Sequence, residues 1–484
     1  MFTRFCAILI LLIAGAVGVD GQATPILTLA QAVDEALIKN DRLINQHDSL
    51  EQADLGVRLA RNQFQPKVTP NILGSFGQTD VTSQTYRVDL SQRFTTGTEL
   101  RLGVGTATSQ IPGDPGLPDS DIRFYNADTT LTLSQPLLRG FGRTVARRGL
   151  SSAEWRRQDA DRQQTLAQQQ VTVDVVATYY RVVAQQAFID VARQSVDRAR
   201  RLRDASEAKL DAGLVSQLDV LRAQQLVAQS EIQLFDAQAA TEDARDALAF
   251  LMGRESATFD VERAIPRPDQ APIDAAQATA TALGRRLDLR GLSEASADAD
   301  RQVRYTRNQL LPQVDVNLAV TRRVTADSFA KSFGVDGFQF ATFFTIAMPV
   351  DRTAQIVEYQ SSLIDRDRRK REIETLERQI SDDVRRAIRE RDRLLRAVIA
   401  AETSVEISRK EVDVAQLRYE RGLSNNLDVV TAESALLVAE SRRIQSLADA
   451  AVSRIRLRAL LGVLDPRADL GGPGGASRVP PQVP

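Results

Sequence analysis

Acid, base and nucleophile are scarce in this chain. Among 484 residues there is one cysteine, Cys6, one histidine, His47, and one tryptophan, Trp155. Metal sites built on Cys and His clusters, cysteine nucleophiles, disulfide frameworks and histidine acid/base catalysis therefore lack their raw material. His47 has no serine or cysteine partner nearby and reads as a surface residue of a helix, while Trp155, beside Arg156 and Arg157, suits packing or interface anchoring. Gly-rich phosphate loops are absent, so no enzyme activity, cofactor or metal is expected. Two acids stand out by position: Asp219 and Asp428 each follow a turn glycine, Gly213 or Gly422, by six residues. As first-turn acids they gain about 0.3 to 1 kcal/mol from the positive end of a helix.

The charges nearly cancel, with 62 Lys and Arg against 63 Asp and Glu. No global field favours nucleic acid, and the mixed-sign run Ile364 to Glu372 is a solvated helix face. Arg4 precedes an apolar run from Phe5 to Val19, and Gly21, Gln22 and Ala23 have the form of a signal-peptidase site. Residues 1–23 are expected to be a removed secretory signal that takes Cys6 with it. Its apolar run of roughly 15 residues is short of the roughly 20 that span a bilayer. Since no other apolar run is long enough for a membrane helix, entry into a membrane would be by strands.

The elements carrying the two acids recur. AQAVDEALIKN from Ala30 and RNQFQPKV from Arg61 return as AQATATALGRR from Ala276 and RNQLLPQV from Arg307, displaced by 246 residues. AGLVSQLDV from Ala212 returns as RGLSNNLDV from Arg421, and LMG at Leu251 as LLG at Leu460, displaced by 209. The first copy thus carries 37 extra residues, and they fall in the β-like stretch between Phe64 and about Arg148. The organisation that follows is a signal at 1–23, a first repeat at 24–273, a second at 274–465 and a disordered Gly- and Pro-rich tail at 466–484.

Each repeat reads helix, strands, long helix, tight turn, helix. The long helices span about Ala146 to Ala212 and Thr353 to Arg421. Their apolar residues recur every three or four positions: Val175, Tyr179, Val182, Ile189 and Val196 in one, Ile373, Leu376, Ile380, Val384 and Ala387 in the other. Val173, Val176, Tyr180 and Val183 add a second stripe, as for a helix packed between two neighbours. The short helices, Leu29 to Asn62 with Gln217 to Leu251 and Ala275 to Leu310 with Asn425 to Leu461, together match the long ones in length. Stacked end to end, they would make rods roughly 100 Å long, which suit a scaffold or a tube.

Between the helices the period changes to two. Tyr86, Val88 and Leu90 oppose Arg87, Asp89 and Ser91, and Leu100, Leu102 and Val104 oppose Arg101 and Gly103. Val68–Gln78 and Phe124–Ser134 are weaker strands; Val314–Thr321 and Phe338–Met348 are those of the second repeat. One charged and one apolar face suits a barrel wall with lipid outside, or equally a soluble sandwich with one wet face. In a barrel, the long Ile111–Asp121 and Thr325–Gly337 would be outward loops and the short TTGT turn at Thr95–Thr98 would belong to the opposite, periplasmic side. Four to six strands per chain cannot close a membrane barrel, which starts at about eight, so closure requires oligomerisation.

The ordered set of signal, duplicated hairpin plan, NQxxPxV entries at Asn62 and Asn308 and GLxxxLDV turns at Gly213 and Gly422 resembles the TolC-like outer membrane efflux proteins over about Leu29 to Leu464. LSQPLLRGFGR, Leu133 to Arg143, resembles a form found in one branch of that family. The resemblance implies a mainly α fold with a membrane β-barrel: a homotrimer with a helical tunnel and a shared 12-stranded barrel, four strands per chain. An extra hairpin at Tyr86–Thr108 would make six per chain and 18 in all. It also implies a passive outer-membrane channel of a tripartite efflux or type I secretion system. The partners would be outer-membrane lipid, a periplasmic adaptor (membrane fusion protein) and an inner-membrane pump of RND, ABC or MFS type.

Carried across by position, the resemblance makes Asp219, Tyr419 and Asp428 the periplasmic gate, with Tyr419 bonding Asp219. The arginine and second acid of that latch are replaced by Ser424 and Thr431, so a weaker or differently built gate is expected. Gly213, Leu214, Val215 and Ser216, with Gly422, Leu423 and Ser424, form turns whose apolar residues suit docking of an adaptor hairpin. The alternative is a secreted or periplasmic coiled-coil scaffold with small β subdomains, which would be soluble without detergent.

Overall fold

The computed structural model describes residues 26–74, 82–111, 122–326, 328–332 and 337–469. The expected signal, residues 112–121 of the first long loop, residues 327 and 333–336 of the second, and the tail beyond Asp469 lie outside them. In chain order the first repeat holds β1 (Ile26–Leu27), α1 (Leu29–Lys39), α2 (Asp41–Asn62), β2 (Lys67–Gly74), β3 (Thr82–Arg93), β4 (Glu99–Ile111), β5 (Ile122–Pro136), α3 (Arg143–Ala146), α4 (Arg148–Asp211) and α5 (Gln217–Leu251). After β6 (Asp260–Val261), the second holds α6 (Ala275–Arg285), α7 (Leu287–Gln309), β7 (Gln313–Ala326), α8 (Phe329–Ser332), β8 (Gln339–Ala347), α9 (Thr353–Glu420) and α10 (Asn426–Leu460).

The long helices have 64 and 68 residues, so each runs about 100 Å. Along α4 pack α2 and α5, and along α9 pack α7 and α10, which gives the two-against-one stacking that the lengths predict. The short leading helices differ from expectation, because each is split, at Asn40 and at Arg286. The cause is the end of the stacked helix. Gly253 and Gly462, both at φ +68°, turn the chain hard against the carbonyls of Lys39 and Arg285, leaving no room for a straight helix. A Cβ at Gly253 would lie 2.5 Å from the Lys39 oxygen.

Both stripes of α4 are buried: Val175, Tyr179 and Val182 on one, Val173, Val176, Tyr180 and Val183 on the other. They join Val33, Ala36, Leu248, Met252 and Ile455 in the largest core, midway along the rods. Each fully buried Val or Leu there contributes about 1.5 to 3 kcal/mol. Here β1 pairs in parallel with β6, and the Tyr179 hydroxyl donates to the Leu27 carbonyl at 3.0 Å; burial pushes this phenol up to about 12, so it stays a donor.

The strands form one antiparallel sheet in the order β2-β3-β4-β5-β7-β8. Of the two counts left open by the sequence, four or six, the sheet has six: the extra hairpin is part of it. Gly97, at φ 97°, closes the TTGT turn between β3 and β4. On one face lie Val88, Leu90, Leu102, Val104, Leu131, Leu318, Val320 and Phe340; on the other lie Arg87, Asp89, Arg101, Asp128, Thr130 and Arg323. Both edge strands, β2 and β8, are exposed throughout, and Phe340 is 81% exposed. No described helix is long and apolar enough to cross a membrane.

Candidate functional site at the hairpin tips

The α4–α5 and α9–α10 hairpins end together. Gly213 at φ 69° and Gly422 at φ 72° sit at the helix ends. Leu214 N donates to Lys209 O at 2.8 Å and Leu423 N to Arg418 O at 2.9 Å, the six-to-one bond of a Schellman cap. Such caps normally tuck an apolar residue back onto the helix. Here Leu214 and Leu423 are 73% and 72% exposed, so each tip presents a leucine outward.

Beyond the turns the hairpins differ. Ser216 caps α5 through a capping box: Asp219 N donates to Ser216 Oγ at 3.3 Å, while Ser216 N and Oγ donate to Asp219 Oδ2 at 3.1 and 2.7 Å. Arg222 lies 3.7 Å from the same carboxylate. In the second hairpin Asn425 makes no side-chain cap, Ser424 Oγ is buried without a partner among the described residues, and Asp428 is exposed. Val215 packs partly buried against the tip core.

Tyr419 is buried, and its partner is not Asp219. Its hydroxyl meets Ser206 Oγ at 2.8 Å, Lys209 Nζ lies 3.9 Å over its ring, and Lys209 also donates to the Tyr419 carbonyl. The expected Tyr419–Asp219 bond is thus replaced, because the capping box occupies the Asp219 carboxylate and Ser206 faces the phenol from α4. Asp219 is instead held through its backbone, whose carbonyl accepts from Asn426 Nδ2 of α10.

A second clasp lies above the tips. Arg198 Nε of α4 donates to Glu433 Oε2 of α10 at 2.6 Å, and Gln416 Nε2 of α9 donates to Oε1 at 3.1 Å. The Glu433 side chain is 4% exposed. Ser206, Lys209, Asn426, Arg198, Gln416 and Glu433 were missed from sequence. Glu433 had a signal: with Val429, Leu436 and Glu440 it forms one buried stripe, so an acid interrupts an apolar period.

Comparisons with known proteins agree with this architecture. A family model described as outer membrane efflux protein matches residues 32–254 and 278–463. The fusaric acid resistance protein FusA of Burkholderia cepacia is 32% identical over 181 residues, which are 36% of this chain and 32% of that protein; the match thus spans about a third of this curated relative. The outer-membrane channel OprN superposes with a TM-score of 0.69 at 20% identity, covering 90% of this chain and 89% of that one. The outer membrane protein VceC of Vibrio cholerae superposes with a TM-score of 0.68 at 17% identity, covering 90% and 96%. At these identities the structural likeness establishes the fold.

Proposed function

The chain belongs to the outer membrane efflux protein family, and from that membership we propose that three copies form the passive outer-membrane conduit of a tripartite export system. It takes substrate from a periplasmic adaptor and an inner-membrane pump to the exterior. The name of the B. cepacia relative, fusaric acid resistance protein, supports efflux of a small molecule over type I protein secretion.

One observation carries the assembly. Within the chain α4 packs on α10, leaving α5 and α9 as the outer helices, and each bears an unpartnered apolar stripe. Leu218, Leu221 and Ala228 follow Gly213 by 5, 8 and 15 residues; Leu417, Val414 and Ile407 precede Gly422 by the same intervals. The stripes therefore stand at matching heights above the tips, as the two sides of one coiled-coil seam between neighbouring copies. Arg222 and Asp413, each nine residues from its glycine, bring opposite charges to that seam. The bare edges β2 and β8 continue it upward, and because one strand leaves the helices and the other returns to them, they meet antiparallel.

At the tips, Asp219, Tyr419 and Asp428 are assigned to the periplasmic gate, now with Ser206, Lys209 and Asn426 as the groups that hold the hairpins together. The outward Leu214 and Leu423, on turns that also comprise Gly213, Val215, Ser216, Gly422 and Ser424, are assigned to docking of the adaptor. Tyr419→Phe and Asp219→Ala should raise the conductance of the closed channel in planar bilayers; unchanged closed-state currents would remove the gate assignment. For the assembly, Leu221→Cys with Val414→Cys should give a covalent trimer in the outer-membrane fraction. A soluble monomer in the periplasm would favour the scaffold reading instead.

A further inference from the structure

The β3–β4 hairpin has no counterpart in the second repeat, and three features make it a structural part of the barrel wall. Every residue of β4 from Glu99 to Gln110 is paired on both sides, to β3 and to β5, so β4 is an interior strand and cannot be a flap laid over the sheet. The hairpin keeps the face pattern of its neighbours. Val88, Leu90, Leu102 and Val104 continue the apolar row that runs from Ile72 in β2 to Leu131 in β5, as a lipid-facing band requires.

Third, a polar staple on the opposite face binds the hairpin across three strands. Arg87 Nε donates to Asp89 Oδ1 at 2.9 Å, and Arg87 Nη1 reaches over β4 to Asp128 Oδ2 of β5 at 2.9 Å. Asn71 of β2 donates to Asp89 Oδ2 at 3.0 Å. The guanidinium can cross β4 only because the residues beneath it are Gly103 and Gly105: a Cβ at Gly103 would lie 2.4 Å from Arg87 Nη2.

We propose that three copies close an eighteen-stranded barrel, six strands from each chain, in place of the twelve that the family resemblance implies. The inference rests on the trimeric conduit reading. Inserting a whole hairpin adds one outgoing and one returning strand, so β2 and β8 remain able to pair antiparallel between copies. At a strand spacing of about 4.8 Å and a tilt near 40°, eighteen strands give a wall about 36 Å across, against about 24 Å for twelve. The exit is therefore wide and wet, lined by Arg87, Asp89, Arg101, Asp128 and Arg323, and the constriction lies at the periplasmic tips.

Electron cryo-microscopy of the full chain in lipid nanodiscs tests this directly. A trimer with eighteen strands in cross-section is expected. A trimer whose barrel has twelve strands, with residues 82–111 off the wall, overturns the inference and leaves the conduit reading standing; a protein that forms no trimer overturns both. A second measurement needs no image. In outer membranes, a charged maleimide should label Arg101→Cys on the water side about tenfold faster than Leu102→Cys on the lipid side. Equal labelling of the two would place the hairpin outside the wall and overturn the inference.

Discussion

Where α5 ends against the α1–α2 break, Arg254 grips the Glu35 carboxylate at 2.6 to 3.0 Å and Asn40 Nδ2 donates to the Leu251 carbonyl at 2.8 Å. Where α10 ends against the α6–α7 break, the corresponding residues are Val463, Thr281 and Arg286, and Arg286 is turned to Asp288 instead. The tips repeat the contrast, with a capping box on α5 and none on α10. Both joints keep the positive-φ glycine and both tips keep the Schellman turn. Backbone geometry is thus common to both copies, whereas these polar pins are present only in the first among the described residues. The α9–α10 hairpin lacks these two pins but is tied to the first hairpin through Tyr419–Ser206, Asn426–Asp219 and Glu433–Arg198, so a movement of it has to break those contacts.

The largest test of that contrast is at the glycines. Gly253→Ala should cost about 3 kcal/mol, combining a positive φ with a backbone collision, whereas Gly462→Ala, with its nearest backbone atom at 3.0 Å, should cost about 1 to 2. Heat-induced dissociation of the detergent-solubilised trimer would rank them, and equal losses would mean that the joints are equivalent. Next is the Glu35–Arg254 pin. The hydrogen bond from Arg254 lowers the Glu35 pKa below its ordinary 4.5. Its stabilisation is therefore complete above that value and is lost as pH falls through the depressed folded value. Arg254→Ala should be less stable than the parent by about 1 kcal/mol at pH 7, with the gap closing on acidification below 4.5. Val463→Ala should show no such pH dependence.

The smallest effect is at the caps. Ser216→Ala should cost about 1 kcal/mol, while Asn425→Ser, which recreates Ser-x-x-Asp with Asp428, should gain about 0.5. If the missing cap eases gating, Asn425→Ser should also lower the open probability in single-channel records, and an unchanged value would separate the cap from the gate.

Much of this molecule is legible one residue at a time. The spacing of Val175, Tyr179 and Val182 marks a helix face, and Gly213 and Gly422 mark turns, because periodicity and positive φ are local properties. Asn40, followed by Asp41, is a local N-cap signal for the first break, whereas Arg286 offers none for the second; the glycines that abut the two breaks lie more than 170 residues away in sequence. The family resemblance singles out Tyr419 as a gate candidate, but its bond to Ser206 depends on how two long helices slide past each other, and a shift of one turn would exchange that partner for another.

The sequence by itself determined the duplicated rod, the alternating strands, the tight turns and the scarcity of cysteine and histidine, all of which follow from residue type and short-range spacing. Tertiary structure alone decided that the extra hairpin joins the sheet, that Arg87 crosses two glycines to Asp128, and that Glu433 is buried against Arg198. Strand pairing and interhelical register join residues far apart in the chain, and their energies depend on burial and on geometry of a few tenths of an ångström, which spacing along one strand or helix does not encode.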